Sequence, residues 1–366
     1  MIADLDSNEA LFVETGGIGM AASAEGTAPS IMHEYGRVRI AEAASVPLAA
    51  EFAPSALTVP ALSSTERLGS DGYAMRNSEE YAEAKEARPF AGMSWGVEGV
   101  EKGPSPIHME NSAMEKEATD VSASVSPELA AAGPLSARIT GRIAVGLVLV
   151  SGTTKKLELS NAEQTKVVAE VQHGLSFLAD KAPLRDVTFV HSIEHRTVTA
   201  PETTSGTTFE AFEAPWRDEA LKHMGYPPGL AGCRAYAEAL RGSLGTNWAY
   251  VAFVTKYRLA HFAYASLGGP RMVMHYNNDG WGIDNFDRVF AHETGHIFNA
   301  PDEYKKSGCN CGGSWGFFGQ PNSNCELCAT GGGVDCIMRA NTWAMCDVTP
   351  YHFGYNGLPA PAPVTS

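Results

Sequence analysis

Basic residues are scarce in this chain. Its 366 residues hold 27 Lys and Arg against 42 Asp and Glu, a net charge of −15. With no basic patch or tail, nucleic acid and anionic membrane surfaces are not expected as partners. Long apolar runs are lacking too, and none reaches the roughly 18 to 20 residues that a membrane span requires. The opening MIADLDSNEALFVETGGIGM puts acidic residues where a secretory leader needs basic ones, and it has no long apolar core, so no conventional leader is visible. Aromatic residues are thin before residue 136, with 7 of 33, and that third contains no cysteine.

The charge is uneven as well. Residues 1–135 carry 21 acidic and 8 basic residues, a net of −13, which leaves −2 for the rest. This third is rich in Ala, Ser, Glu, Gly and Pro and shows no sustained helical or strand period. It reads either as an acidic, low-complexity, disordered extension or as a propeptide that covers an active site and is cut away. In the second case a thiol latch is ruled out, and a carboxylate or a histidine such as Asp71, His33 or His108 would have to reach the site. The folded domain is expected over residues 136–357, followed by a disordered Pro-rich tail over 358–366.

Inside that domain Ile143, Val145, Leu147 and Leu149 alternate as in a strand. Ser160 and Glu163 form a capping box for a helix with Val167, Val168, Val171, Leu175 and Leu178 on one face. DVTFVHSIEHRTVTA is a second strand by its β-branched residues and its period of two. Its His191, Glu194 and His195 spell the inverted zinc motif H-x-x-E-H, but that chemistry needs a helix, so they are read as half-exposed strand residues. A helix is expected to begin at Pro215 and another to cover GLAGCRAYAEALRGSLG, with Cys233 as a buried free thiol. NWAYVAFVTKY, AHFAYA and RMVMHY follow as strands, and Asn278, Asp279 and Gly280 then turn the chain.

The chemistry is concentrated in FAHETGHIFNAPDEY, residues 290–304. His292, Glu293 and His296 form H-E-x-x-H, and on a helix residues four apart lie on one face. Two imidazoles then point at one spot, which suits Zn²⁺, while the neighbouring carboxylate is placed to act on a water there as a base. Asp284 or Asn285 is the expected cap of that helix, with Phe286, Val289, Phe290 and Ile297 as its apolar positions. Asn299 stands where the chain needs a left-handed residue to reverse, Pro301 forbids continuation, and Asp302 arrives with a carboxylate six residues after His296.

These five residues, His292, Glu293, His296, Asn299 and Asp302, resemble the extended motif H-E-x-x-H-x-x-G-x-x-H/D of the metzincin clan of zinc endopeptidases, in the variant whose third ligand is aspartate. Cys336, Ile337 and Met338 look like the Met-turn of that clan. The resemblance implies an α+β fold, with a twisted mixed sheet and a long active-site helix. It implies Met338 as a packing residue beneath the ligands, residues 271–276 as the sheet edge that lines the cleft, and residues 339–345, Trp343 among them, as a wall of the main specificity pocket; by their own pattern residues 271–276 read equally as an ordinary core strand, and an aromatic at Trp343 as a packing residue. Asn299 departs from the usual Gly, and Ala340 stands where some branches carry a tyrosine. Glu303 is the competitor for third ligand. If Asp302 is the ligand, Glu303 and Tyr304 support the site or bind a second cation such as Ca²⁺.

Six of the seven cysteines, Cys309, Cys311, Cys325, Cys328, Cys336 and Cys346, fall within 38 residues. Cys309, Cys311, Cys325 and Cys328 make either a four-thiolate structural zinc site or two disulfides, with Cys336 and Cys346 as a third pair, or the cysteines stay free thiols. Such clustering points to an oxidising, extracellular compartment despite the missing leader. The expected function is hydrolysis of peptide bonds in a protein or peptide substrate, with one catalytic Zn²⁺ on His292, His296 and Asp302 and Glu293 as general base. The alternative is a catalytically silent, zinc-stabilised binding or structural module.

Overall fold

The structure is a computed structural model that describes residues 9–14, 30–43, 61–97, 133–206, 208–277 and 280–361. The chain begins with strands β1 (Glu9–Val13), β2 (Ile31–Tyr35) and β3 (Val38–Glu42), then helices α1 (Ser64–Arg76) and α2 (Glu79–Glu86). Strand β4 (Gly141–Gly152), helix α3 (Asn161–Lys181) and strand β5 (Val187–Val198) follow, then helices α4 (Phe209–His223) and α5 (Gly229–Ser243). Strands β6 (Trp248–Thr255), β7 (Ala263–Ala265) and β8 (Arg271–His275) precede helices α6 (Phe286–Ile297) and α7 (Thr349–Phe353).

These elements form a mixed α+β fold around one eight-stranded sheet, in the order β1-β3-β2-β5-β4-β6-β8-β7. The five strands β2, β5, β4, β6 and β8 run parallel, while β1 and β3 at one edge and β7 at the other pair antiparallel. A parallel centre must be covered on both faces. Strand β4 shows why its residues suit that place: Ile143, Val145, Leu147 and Leu149 enter the core shared with α3 and α6, and Ala144, Val148 and Val150 enter the core shared with α4 and α5. The expected capping box is present on α3, with Ser160 and Glu163 bonding reciprocally.

The extension expected over residues 1–135 is corrected wherever that third is described. Strands β1 to β3 belong to the same sheet as β4, and α1 packs against α3, so the boundary near residue 136 cuts through one sheet. Composition hid this because the segment is held by close backbone approach and buried charge, not by aromatic bulk. A Cβ on Gly69 of α1 would lie 2.4 Å from the Tyr35 ring, and Arg76 and Lys85 are buried in ion pairs with Glu9 and Glu170. His33, a latch candidate, is bonded to His191 and Ser176 inside the fold. His108 and the turn residues Asn278 and Asp279 lie outside the described residues, as does 362–366 of the tail, whereas Leu358 packs on the core.

Two helix starts also differ from expectation. Helix α4 begins at Phe209, capped by Thr208, and Pro215 lies inside it. Buried Phe209, Phe212 and Trp216 outweigh the one backbone hydrogen bond that a proline removes. Asn285 occupies the cap position of α6 without capping it, because its amide binds the carbonyls of Pro89 and Trp281. Among the described residues no helix is long and apolar enough to cross a membrane.

Candidate metal centre

Helix α6 presents His292 and His296 one turn apart, with their Nε2 atoms 3.1 Å from each other. The helix then reverses as its sequence demands: Asn299 takes a left-handed φ of 65°, and Ala300 N donates to Gly295 O at 3.0 Å. This reversal brings Asp302 back over the helix end. Its Oδ1 lies 3.2 Å from the Nε2 of both histidines.

The hydrogen bonds on the far side of each ring decide what those nitrogens offer. His292 Nδ1 donates to Ile337 O at 3.0 Å, and His296 Nδ1 donates to Ala300 O at 2.8 Å. Each neutral imidazole therefore turns an Nε2 lone pair toward the same point as the Asp302 carboxylate. Two lone pairs and an anion in contact repel one another unless positive charge stands among them. Around a tetrahedral zinc with ligand atoms at about 2.0 to 2.1 Å, neighbouring ligand atoms are roughly 3.3 Å apart. The 3.1 and 3.2 Å separations fit that cage.

Electrostatics agree with the geometry. Burial pushes the His296 imidazole down, but Asp302 beside it overrides that and lifts it to about 10. Burial pushes the Asp302 carboxyl up, but His296 and His292 hold it well below the usual carboxylate range. Both shifts express one property: this point attracts positive charge, from a proton or from a metal ion.

Glu293 follows the first histidine and faces the cleft. It is 4% exposed, and its Oε2 has no hydrogen-bond partner. Burial raises its carboxyl above the ordinary value, so it takes up a proton more readily than a surface glutamate. About 590 Å³ of open cleft lies in front of it, walled by Trp95, His261, Phe262, Leu267, Val289 and Tyr304 and by strand β7. The cleft-lining edge expected at residues 271–276 is corrected: β8 is paired on both sides, and β7 is the outermost strand. Strand order depends on contacts between distant segments, which the local pattern does not carry.

Met338 lies buried under α6, where a Cβ on Gly295 would stand only 2.6 Å from its Sδ. Glu303 turns away from the histidines. Its Oε1 accepts from Thr349 Oγ1 at 2.9 Å and from Cys346 Sγ at 3.3 Å, and its Oε2 accepts from Asn324 Nδ2 at 2.7 Å. With Cys336 and Cys346 it makes the other cluster of ligand-type side chains among the described residues. Its two sulfurs suit a soft ion better than the Ca²⁺ considered for Glu303. Tyr304 stays with the cleft, its ring 6.4 Å from that of His292.

Cysteine pairing is partly as expected. Disulfides join Cys309 to Cys325 and Cys311 to Cys328, which removes the thiolates that a four-cysteine zinc site requires. The third pair is not formed, since Cys336 and Cys346 are free and buried. Cys233 is a buried free thiol. Trp343 packs on His173 and Phe177, with Arg288 over its ring, and does not line the cleft. His191 and His195 lie on a strand, but His191 is buried, because β2 continues the sheet beyond β5. The residues that sequence reasoning missed are Trp95, His261 and the carbonyls of Ile337 and Ala300. Trp95 left one signal, as the only tryptophan in the first 135 residues. Comparison with known families finds no model that matches the chain, and comparison with curated proteins finds no match.

Proposed function

We propose that the chain is a zinc-dependent endopeptidase of metzincin type that cleaves a protein or peptide substrate. The observation that carries this reading is the meeting of two Nε2 lone pairs with an Asp302 oxygen 3.2 Å from each, beside the buried and unpaired Glu293 carboxylate. His292, His296 and Asp302 would hold the ion, and bound Zn²⁺ supplies Lewis acidity to water and to a substrate carbonyl. An extended substrate lies against the free edge of β7 and adds one strand to the sheet. Glu293 accepts the proton of the attacking water and delivers it to the leaving amine, and burial suits it to hold that proton in between. Two disulfides fit an extracellular place of work.

Against a silent structural module stands the donor set, since a structural zinc usually takes four protein ligands and three converge here. The test is zinc content together with cleavage of an unfolded protein such as casein, for wild type, Glu293→Ala and Asp302→Ala. The peptidase reading requires that wild type binds zinc and cuts, that Glu293→Ala binds zinc without cutting, and that Asp302→Ala loses both. Zinc binding with no cleavage by any form would favour the silent module.

A further inference from the structure

Trp95 stands 197 residues before His292, yet its side chain ends beside that histidine. Its ring centroid is 5.3 Å from that of His292, and it is 4% exposed. The indole Nε1 donates to Ile337 O at 2.7 Å, and this is the same carbonyl that accepts from His292 Nδ1 at 3.0 Å. The backbone around Trp95 is tied to the same strip of chain. Gly92 N donates to Asn341 O at 2.7 Å, Asn341 N to Met93 O at 2.8 Å, and Trp95 N to Arg339 O at 3.1 Å.

We infer that Trp95 is a positioning residue for His292, and that residues 92–95 are a standing part of the metal centre and not a cover to be discarded; this rests on the zinc reading of the site. A carbonyl oxygen with two lone pairs and two donors is fixed in direction. Without the indole N–H, the Ile337 carbonyl loses one of the two donors it accepts from. The imidazole bound to its other lone pair then loses its hold on both tautomer and tilt. The direct outer partner of a ligating histidine, here the Ile337 carbonyl that Trp95 holds, typically contributes about 10-fold to 100-fold in metal affinity. The same carbonyl precedes Met338, so one strip of chain carries the packing residue beneath α6 and the acceptor that aims the first ligand.

A matched control lies next to Trp95. Trp281 is fully buried, its ring centroid is 5.0 Å from that of Trp95, and its Nε1 has no hydrogen-bond partner. Replacing either indole with phenyl removes similar bulk, but only one replacement removes a hydrogen bond to Ile337. The experiment measures zinc dissociation by chelator competition, and the visible spectrum of the cobalt-loaded protein, for full-length wild type, Trp95→Phe and Trp281→Phe. Trp95→Phe is expected to bind zinc about tenfold more weakly or worse and to shift the cobalt spectrum, with Trp281→Phe close to wild type in both. Equal affinity of Trp95→Phe and wild type overturns the inference, and so does an equal loss in both variants, which would mark a packing effect. A wild type that binds no zinc overturns the zinc reading itself, and that outcome is recognised without any variant.

Discussion

The two ends of helix α6 both bury carboxylates, and they treat them in opposite ways. At the N-terminal end Asp287 is fully buried and fully served: Lys85 Nζ lies 2.9 Å away, Arg88 Nη1 3.2 Å, His173 Nδ1 2.9 Å, and the Arg288 amide donates at 2.7 Å. At the C-terminal end Glu293 Oε2 has no hydrogen-bond partner, and Asp302 Oδ1 meets the Nε2 atoms of two histidines whose Nδ1 atoms are already bound to backbone carbonyls. Buried polar groups are normally satisfied, so an unsatisfied group calls for a specific explanation. On one helix, the satisfied end reads as architecture, and the unsatisfied end is where the proposed chemistry would lie.

The contrast breaks most sharply at Glu293. Glu293→Gln is expected to cut casein roughly 10²-fold to 10⁴-fold more slowly with zinc content unchanged, which steady-state cleavage and metal analysis will measure. A zinc-loaded Glu293→Gln that cuts at the wild-type rate would end the catalytic reading of that carboxylate. Asp287→Ala should do the reverse. It leaves Arg88 buried without its anion and Lys85 with Glu170 alone, so unfolding in urea should show a loss of about 3 to 5 kcal/mol, while the folded fraction keeps its zinc affinity. Weakened zinc binding in folded Asp287→Ala would show that the two ends are coupled.

Gly295→Ala tests the middle ground, because the new methyl would press on Met338 Sδ under the histidines. Overpacking of this kind costs about 1 to 3 kcal/mol. We expect the loss in stability to come with weaker zinc binding, and a destabilised variant with unchanged zinc affinity would separate Met338 from the centre. The smallest effect is on pH dependence. Burial would raise the Asp287 carboxyl, but Lys85, Arg88 and His173 hold it well below its ordinary 3.8. A lowered folded value means that its stabilisation is full above that ordinary value and is lost as pH falls toward the folded one. The stability gap between wild type and Asp287→Ala should therefore be flat above about pH 5 and narrow below about pH 4. A gap that stays constant to about pH 3 would show that the carboxyl is not held low.

Legibility followed the range of the interaction. The β4 alternation, the Ser160 capping box and the reversal at Asn299 were readable because each is settled by dihedral preferences and by neighbours within a few residues. Pro215 misled because a proline near a helix start suggests a first turn, whereas the buried apolar residues before it extend the helix back to Phe209. The first third misled more. Its attachment uses Gly69 against Tyr35 and buried Arg76 and Lys85, features that a count of aromatic residues scores as disorder. The cysteines were legible as partners but not as pairs, since their spacing does not say which sulfurs meet.

By itself the sequence determined how His292, His296 and Asp302 meet along one short stretch. Helical period sets His292 over His296, Asn299 permits the reversal, and six residues of chain return Asp302 to the same point, all through local backbone geometry. Tertiary structure alone decided that Glu303 faces away toward Cys346 and Thr349, that β7 and not β8 is the free edge, and that Ile337 and Trp95 orient the first imidazole. Those outcomes join residues up to 242 positions apart. No local preference encodes such contacts, because they form only when the whole sheet and its two helical layers close around a common core.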